Sequence, residues 1–144
     1  MPYWRSFFHL VWATKGRAPL LTAEIEQGVY AHIKHKANAQ GGIPYAVNGM
    51  PDHVHVVTAI PPSMAVADFV KNLKGASSRY VHLEYGVPFA WQTGYGVFSV
   101  DGRGMKDVMA YVERQKQHHA DGTLITWLER STADSDGPGS ARGF

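Results

Sequence analysis

The chain has no cysteine among its 144 residues. Disulfides and thiolate metal sites are therefore excluded, and any metal must be held by imidazole, carboxylate, amide or phosphate oxygen. No run of about 18 apolar residues occurs, so no membrane-spanning helix is expected. The opening Met1-Pro2-Tyr3-Trp4-Arg5 shows neither the charged region nor the apolar region of a secretory signal. A dominant charge is missing too: 14 Lys and Arg stand against 12 Asp and Glu, a net +2 with histidine neutral. Overall charge alone does not point to nucleic acid. What the chain does have is eight histidines and enough length for one domain with its own core.

Hydrophobic pattern and turn residues divide the chain into seven elements. Trp4 to Thr14, rich in aromatic and β-branched residues, reads as a first strand, ended by Lys15-Gly16-Arg17-Ala18-Pro19. Thr22 is placed as the cap of a helix running to about Gln40, with Ile25, Val29, Ile33 and Ala37 at helical spacing and Gly41-Gly42 as its stop. Ile43 to Asn48 and His53 to Ile60 read as a hairpin joined by the turn Gly49-Met50-Pro51-Asp52. Pro61-Pro62 breaks the strand, and Ser63 caps a second helix to about His82, with Val66, Phe69, Val70 and Leu73 buried and Lys71, Lys74 and Arg79 on a basic flank. Trp91 to Val100 approaches and forms a fourth strand. After the turn Asp101-Gly102-Arg103-Gly104, a third helix runs from Met105 to about His119 with Val108, Tyr111 and Val112 on one side. Residues 1–130 are read as one domain. Residues 131–144, about half Gly, Ser or Pro, are expected to form a disordered tail.

The order β-α-β-β-α-β-α predicts an α+β fold of the ferredoxin-like, or RRM-like, kind. It has a four-stranded antiparallel sheet, two helices on one face and a further C-terminal helix.

Chemistry concentrates in two places. In a strand, residues i and i+2 share a face, so His53 and His55 project side by side as half of a divalent-metal site. On the third helix, Tyr111 and Gln115 are four residues apart and neighbours on one face. A glutamine carbonyl is a hard ligand suited to Mg²⁺ or Mn²⁺, and an activated phenol is a nucleophile. Two imidazoles, an amide oxygen and a phenol together form a set able to cleave a phosphodiester. The bland readings are a structural histidine pair, a core tyrosine and a solvated glutamine, and His118 and His119 are expected at an exposed helix end. Lys15, Arg17, Lys71, Lys74 and Arg79 are candidate contacts to DNA phosphates, or ordinary solvated surface. Trp91, Tyr95 and Phe98 are expected to pack around the fourth strand.

His53-Val54-His55 is a His-hydrophobe-His (HUH) pair, and with Tyr111-x-x-x-Gln115 it resembles the insertion-sequence-200-like, single-tyrosine HUH transposases. Phe8 to Lys15, Met50 to His55, Leu73 to Ser78 and Trp91 to Val100 resemble further family segments in the same order, so the likeness spans roughly residues 3–120. The resemblance implies that His53, His55 and Gln115 bind Mg²⁺ or Mn²⁺, with no nucleotide cofactor. It implies that Tyr111 is the catalytic nucleophile, cutting single-stranded DNA at hairpin-marked element ends through a 5′-phosphotyrosine. It further implies a homodimer in the bacterial or archaeal cytoplasm, whose tyrosine helix can serve the partner's site. Two other readings stay open: a domesticated nuclease acting on repetitive hairpins, and a non-catalytic binder of single-stranded nucleic acid on a ferredoxin-like sheet.

Overall fold

The computed structural model describes residues 3–122 together with Glu129. The expected tail, 131–144, lies outside the described residues. The elements are β1 (Phe7–Ala13), α1 (Glu26–Ala39), β2 (Ile43–Met50), β3 (His53–Ala59), α2 (Val66–Tyr85), β4 (Gly96–Val100), α3 (Met105–Glu113) and α4 (Gln115–Asp121). The sheet order is β2-β3-β1-β4 with every pairing antiparallel, the ferredoxin-like arrangement that the pattern predicts. No helix among the described residues is long and apolar enough to cross a membrane.

Strand alternation sorts the side chains into two layers. Leu10 and Trp12 of β1 and Val54 and Val56 of β3 face α1 and α2, where they meet Val29, Ile33, Ala37, Phe69, Val70 and Leu73 in the main core. Trp91 joins this core, edge-on to Trp12 at 5.8 Å and donating its indole N–H to Ser77 Oγ at 2.9 Å. The opposite face carries a smaller cluster of Ala46, Val57, Met105, Tyr111 and Val112 beneath α3. With a layer on each side, all seven residues of β3 are buried. His53 and His55 are thus covered by protein although they point away from the main core.

Several boundaries differ from expectation, each for a local reason. Helix α1 begins at Glu26 rather than beside Thr22, because Thr22 contributes its backbone carbonyl to a turn, accepting from Ile25 and Glu26, and its side chain makes no cap. Helix α2 begins after Ala65, which leaves Ser63 outside, and runs on to Tyr85, where Gly86 takes a left-handed φ of 63°. The single third helix is broken at Arg114 into α3 and α4. At the break Asn48 of β2 donates its side-chain N–H to Glu113 O at 3.0 Å, drawing that carbonyl out of the helical ladder. Lys116 spans the same junction, donating to Asn48 Oδ1 and Gly49 O at 3.2 Å and pairing with Glu26 at 3.0 Å.

The hairpin that carries the histidines turns on Pro51 and Asp52 alone, neither with a positive φ, so it is not the primed type usual for two-residue loops. Outside contacts hold it: Pro51 O accepts from Leu21 N and Asp52 O from Thr14 N, both at 2.9 Å. Gly49 permits the close crossing before the turn, since a Cβ there would lie 2.2 Å from His53 O and 2.9 Å from Val54 Cα. Gly49→Ala is therefore expected to destabilise the protein by about 1–3 kcal/mol, an overpacking cost. A lowered denaturation midpoint at unchanged slope checks it, and an unchanged midpoint would contradict the close crossing.

Candidate metal centre and active site

His53 and His55 leave β3 on the face covered by α3 and α4, and both are essentially buried. Each imidazole is held from behind. His53 Nδ1 lies 2.7 Å from Asp52 Oδ1. A carboxylate only accepts, so Nδ1 carries the proton there, and the Nε2 of a neutral His53 is left as a donor pair facing the site. Arg17 Nε in turn pairs with Asp52 Oδ2 at 3.3 Å. His55 Nδ1 meets His9 Nε2 at 2.7 Å across the strand pair.

The break at Arg114 turns Gln115 inward, where it is fully buried. Its Oε1 lies 3.0 Å from His53 Nε2, and its Nε2 donates to Glu129 Oε2 at 3.2 Å. Glu129 Oε1 lies 3.0 Å from His55 Nε2 and 3.2 Å from His53 Nε2. Glu129 Oε2 also accepts the Tyr111 hydroxyl in a short hydrogen bond. Tyr111 keeps its ring in the small apolar cluster, 5 % exposed, and stacks on His118 at 4.4 Å. His119 Nε2 comes within 3.3 Å of His53 Nε2 and 3.7 Å of Glu129 Oε1.

These spacings suit one small cation. Two ligands at right angles around an ion about 2.1 Å away lie about 3 Å apart. The edges His53–Gln115, His53–Glu129, His55–Glu129 and His53–His119 all measure 3.0–3.3 Å. The ligand atoms of His53, His55 and Glu129 all fall within 4.8 Å of one another. Imidazole nitrogen with amide and carboxylate oxygen is a donor set for a divalent ion of intermediate hardness.

The electrostatics agree. Burial works against a charged His53, yet its hydrogen bonds to Glu129, Gln115 and Asp52 prevail and raise its pKa above the ordinary value. The site thus calls for positive charge where His53 Nε2 meets two oxygens. Burial similarly opposes the Glu129 carboxylate, but His53 and His55 hold its pKa well below the usual range. His55 is lowered, chiefly by burial. His9 is lowered to about 3, by burial and then by His55, and so stays neutral. His119 is lowered by burial and by the neighbouring His53.

The structure thus gathers Tyr111, Gln115, His53 and His55 of one chain into one pocket. Of the basic residues only Arg17 reaches it, through Asp52. Lys15 is exposed on the turn after β1, and Lys71 and Arg79 are exposed on α2. Lys74 directs its ammonium to Gln92 O at 2.9 Å and Gly94 O at 2.6 Å, and burial lowers its pKa to about 8. Lys71, Lys74 and Tyr95 line a pocket of about 340 Å³ beside this loop. His118 and His119, expected at an exposed helix end, are half-buried against the site instead. Nothing in the sequence singles out Glu129, and Asp52 and His9 stand there only as a turn residue and a strand residue. Asp52 could have been suspected from its place beside His53. An isolated glutamate 14 residues beyond Gln115 carries no pattern that would flag it.

A ferredoxin-like sheet bearing a His-hydrophobe-His pair, completed by polar groups from a docked C-terminal helix, defines an HUH-type metal-binding protein of the transposase class. The chain belongs to the IS200-like transposases: the profile described as "Transposase IS200 like" matches residues 2–115. It is 30 % identical over 115 residues to the ISDra2 transposase TnpA of Deinococcus radiodurans, covering 75 % of this chain and 82 % of that protein. It is 26 % identical over 130 residues to the transposase for insertion sequence element IS200 of Salmonella typhimurium, covering 85 % of each. Among solved structures, a transposase from Deinococcus radiodurans superposes with a TM-score of 0.64 at 31 % identity, over 80 % of this chain and 95 % of that one. A REP-associated tyrosine transposase bound to a REP hairpin shares the fold, with a TM-score of 0.62 at 13 % identity over 86 % of this chain and 76 % of that one.

Proposed function

We propose that the protein cuts and rejoins single-stranded DNA at hairpin-marked ends, with Tyr111 as nucleophile. The observation that carries this reading is the meeting of the Tyr111 hydroxyl, Gln115 and the His53/His55 pair around one carboxylate. That carboxylate occupies a cradle of imidazole, amide and phenol groups, an environment equally suited to a phosphate oxygen. Mg²⁺ or Mn²⁺ held by His53, His55 and Gln115, with Glu129 as a further donor, would supply a Lewis acid for the scissile phosphate. One carboxylate among neutral donors leaves such a centre with net positive charge, which attracts the DNA backbone.

The protein groups do the rest. Packing of the Tyr111 ring fixes the direction of its oxygen, and Glu129 Oε2 is placed to take the phenol proton as that oxygen attacks phosphorus. The phosphorus–tyrosine bond forms as the bond to the 3′-oxygen breaks, and the departing oxygen takes up a proton in place of the one the phenol released, so one fragment ends in a 5′-phosphotyrosine and the other in a 3′-OH. Attack by a different 3′-OH reverses the step and reseals the strand. Bond energy is conserved and no nucleotide cofactor is consumed.

Lys15, Arg17, Lys71, Lys74 and Arg79 are the proposed DNA contacts, with Lys74 acting through the 92–94 loop it holds. The working unit is proposed as a homodimer in the bacterial or archaeal cytoplasm, and the tyrosine helix lies on its own chain's sheet, ready to act there or be exchanged. The test is incubation with a labelled single-stranded hairpin oligonucleotide and Mg²⁺ or Mn²⁺. A covalent protein–DNA adduct that survives denaturation is expected, and chelator should prevent it. Hairpin binding without adduct under every metal would favour the non-catalytic binding reading.

A further inference from the structure

We propose that His9 is a positioning residue for His55: it accepts the Nδ1 proton of His55 and so fixes the tautomer whose Nε2 can hold the metal. The inference rests on the metal reading above and adds a residue to it. His9 stands opposite Val57 in the β1–β3 ladder, one diagonal step from His55, which stands opposite Val11. Both side chains emerge on the face away from the main core. Their rings lie nearly parallel, with centroids 5.0 Å apart and planes 13° apart, and Phe98 of β4 closes on His9 with centroids 5.6 Å apart. Both histidines are fully buried.

With a cation in place of the proton that His55 Nε2 otherwise shares with Glu129, the tautomer follows from counting protons. A neutral imidazole has one N–H and one lone pair. If His55 Nε2 is to bind a cation, its proton must sit on Nδ1, and the one partner within hydrogen-bond reach there among the described residues is His9 Nε2, at 2.7 Å. His9 must then accept at Nε2 and carry its own proton on Nδ1. That atom is buried with no hydrogen-bond partner among the described residues. Buried polar groups are ordinarily paired, so one left unpaired calls for an explanation. A residue serving packing alone at this position would do as well with an apolar side chain. The one hydrogen bond this buried ring makes among the described residues is the one to His55.

The two ligands are thereby backed differently. His53 leans on the Asp52 carboxylate, whereas His55 leans on a neutral ring. A neutral partner fixes orientation with less added basicity, so it leaves the centre more electrophilic than two carboxylate-backed imidazoles would.

The test measures metal, not cleavage. Mn²⁺ binding by calorimetry is compared for wild type, His9→Leu and His9→Gln, the last because its amide can occupy the place of Nε2. His9→Leu is expected to weaken Mn²⁺ binding about 10–100-fold, the usual result of losing an outer partner of a ligand, with His9→Gln recovering most of it. Thermal unfolding in chelator shows whether each variant is folded. Independently, ¹⁵N spectra of the wild-type protein loaded with Mg²⁺ should show both His55 and His9 protonated on Nδ1. Equal Mn²⁺ affinity in folded His9→Leu, or an Nε2–H on His55 in the loaded protein, would overturn the proposal and leave the metal centre standing. Failure of the wild type to bind any divalent ion would overturn both.

Discussion

Tyr111→Phe protein is expected to bind a hairpin oligonucleotide about as well as wild type and to form no covalent adduct with it. The substitution removes one oxygen and keeps the ring, which sits in the cluster of Met105, Val112, Val57 and Ala46. Stability should change little, because the packing of the ring is retained and Glu129 keeps its contacts to His53, His55 and Gln115. The rate of strand cleavage should fall by at least about 10³-fold, as in other enzymes stripped of their nucleophile. Denaturing gels of the labelled oligonucleotide read both outcomes. An adduct that persists in Tyr111→Phe would require another nucleophile. The same variant decides between one-chain and exchanged sites: mixed with His53→Leu protein, it should restore cleavage only if a tyrosine helix can serve a neighbour's histidines.

The second large effect concerns the metal. His53→Leu keeps a buried side chain of similar size and removes the nitrogen that lies within 3.3 Å of Gln115, Glu129 and His119 together. Mn²⁺ affinity should drop by more than the 10–100-fold typical of losing an outer partner, and adduct formation should vanish in Mg²⁺ and Mn²⁺ alike. Glu129→Gln, which keeps the shape and removes the charge, should fall between wild type and His53→Leu. A His53→Leu protein that binds Mn²⁺ normally would show that the four groups meet for a reason other than a cation. Unfolding in chelator separates this from simple loss of structure. Removal of the His53 imidazole leaves Asp52 its partner Arg17, so the hairpin tip stays tied.

Much of the fold is legible in the amino-acid sequence. The stripe Ile25, Val29, Ile33 and Ala37 and the trio Phe69, Val70 and Leu73 are buried as their spacing requires, because an amphipathic helix has only one way to hide its apolar side. The hairpin of β2 and β3 was legible because a proline beside an aspartate, between two β-branched runs, leaves the chain little choice but to turn. Local chemistry misjudged the ends. Thr22 and Ser63 are good caps by residue type, yet backbone turns take their places. The break at Arg114 was hidden because its cause, the Asn48 side chain, is 65 residues away in the sequence.

By itself, the sequence determined the strand order and most of the helix order, the shared face of His53 and His55, and the nearness of Tyr111 to Gln115 along the chain. All of these are properties of neighbouring residues, set by backbone geometry with a repeat of two or of about 3.6. Only the tertiary structure decided that the two pairs meet, that Gln115 turns inward, that Asp52 and His9 stand behind the histidines, and that Glu129 enters between them. Apart from that of Asp52 with its neighbour His53, such contacts join positions 14 to 74 residues apart. They arise from how layers stack on the sheet, and no periodicity along the chain records that.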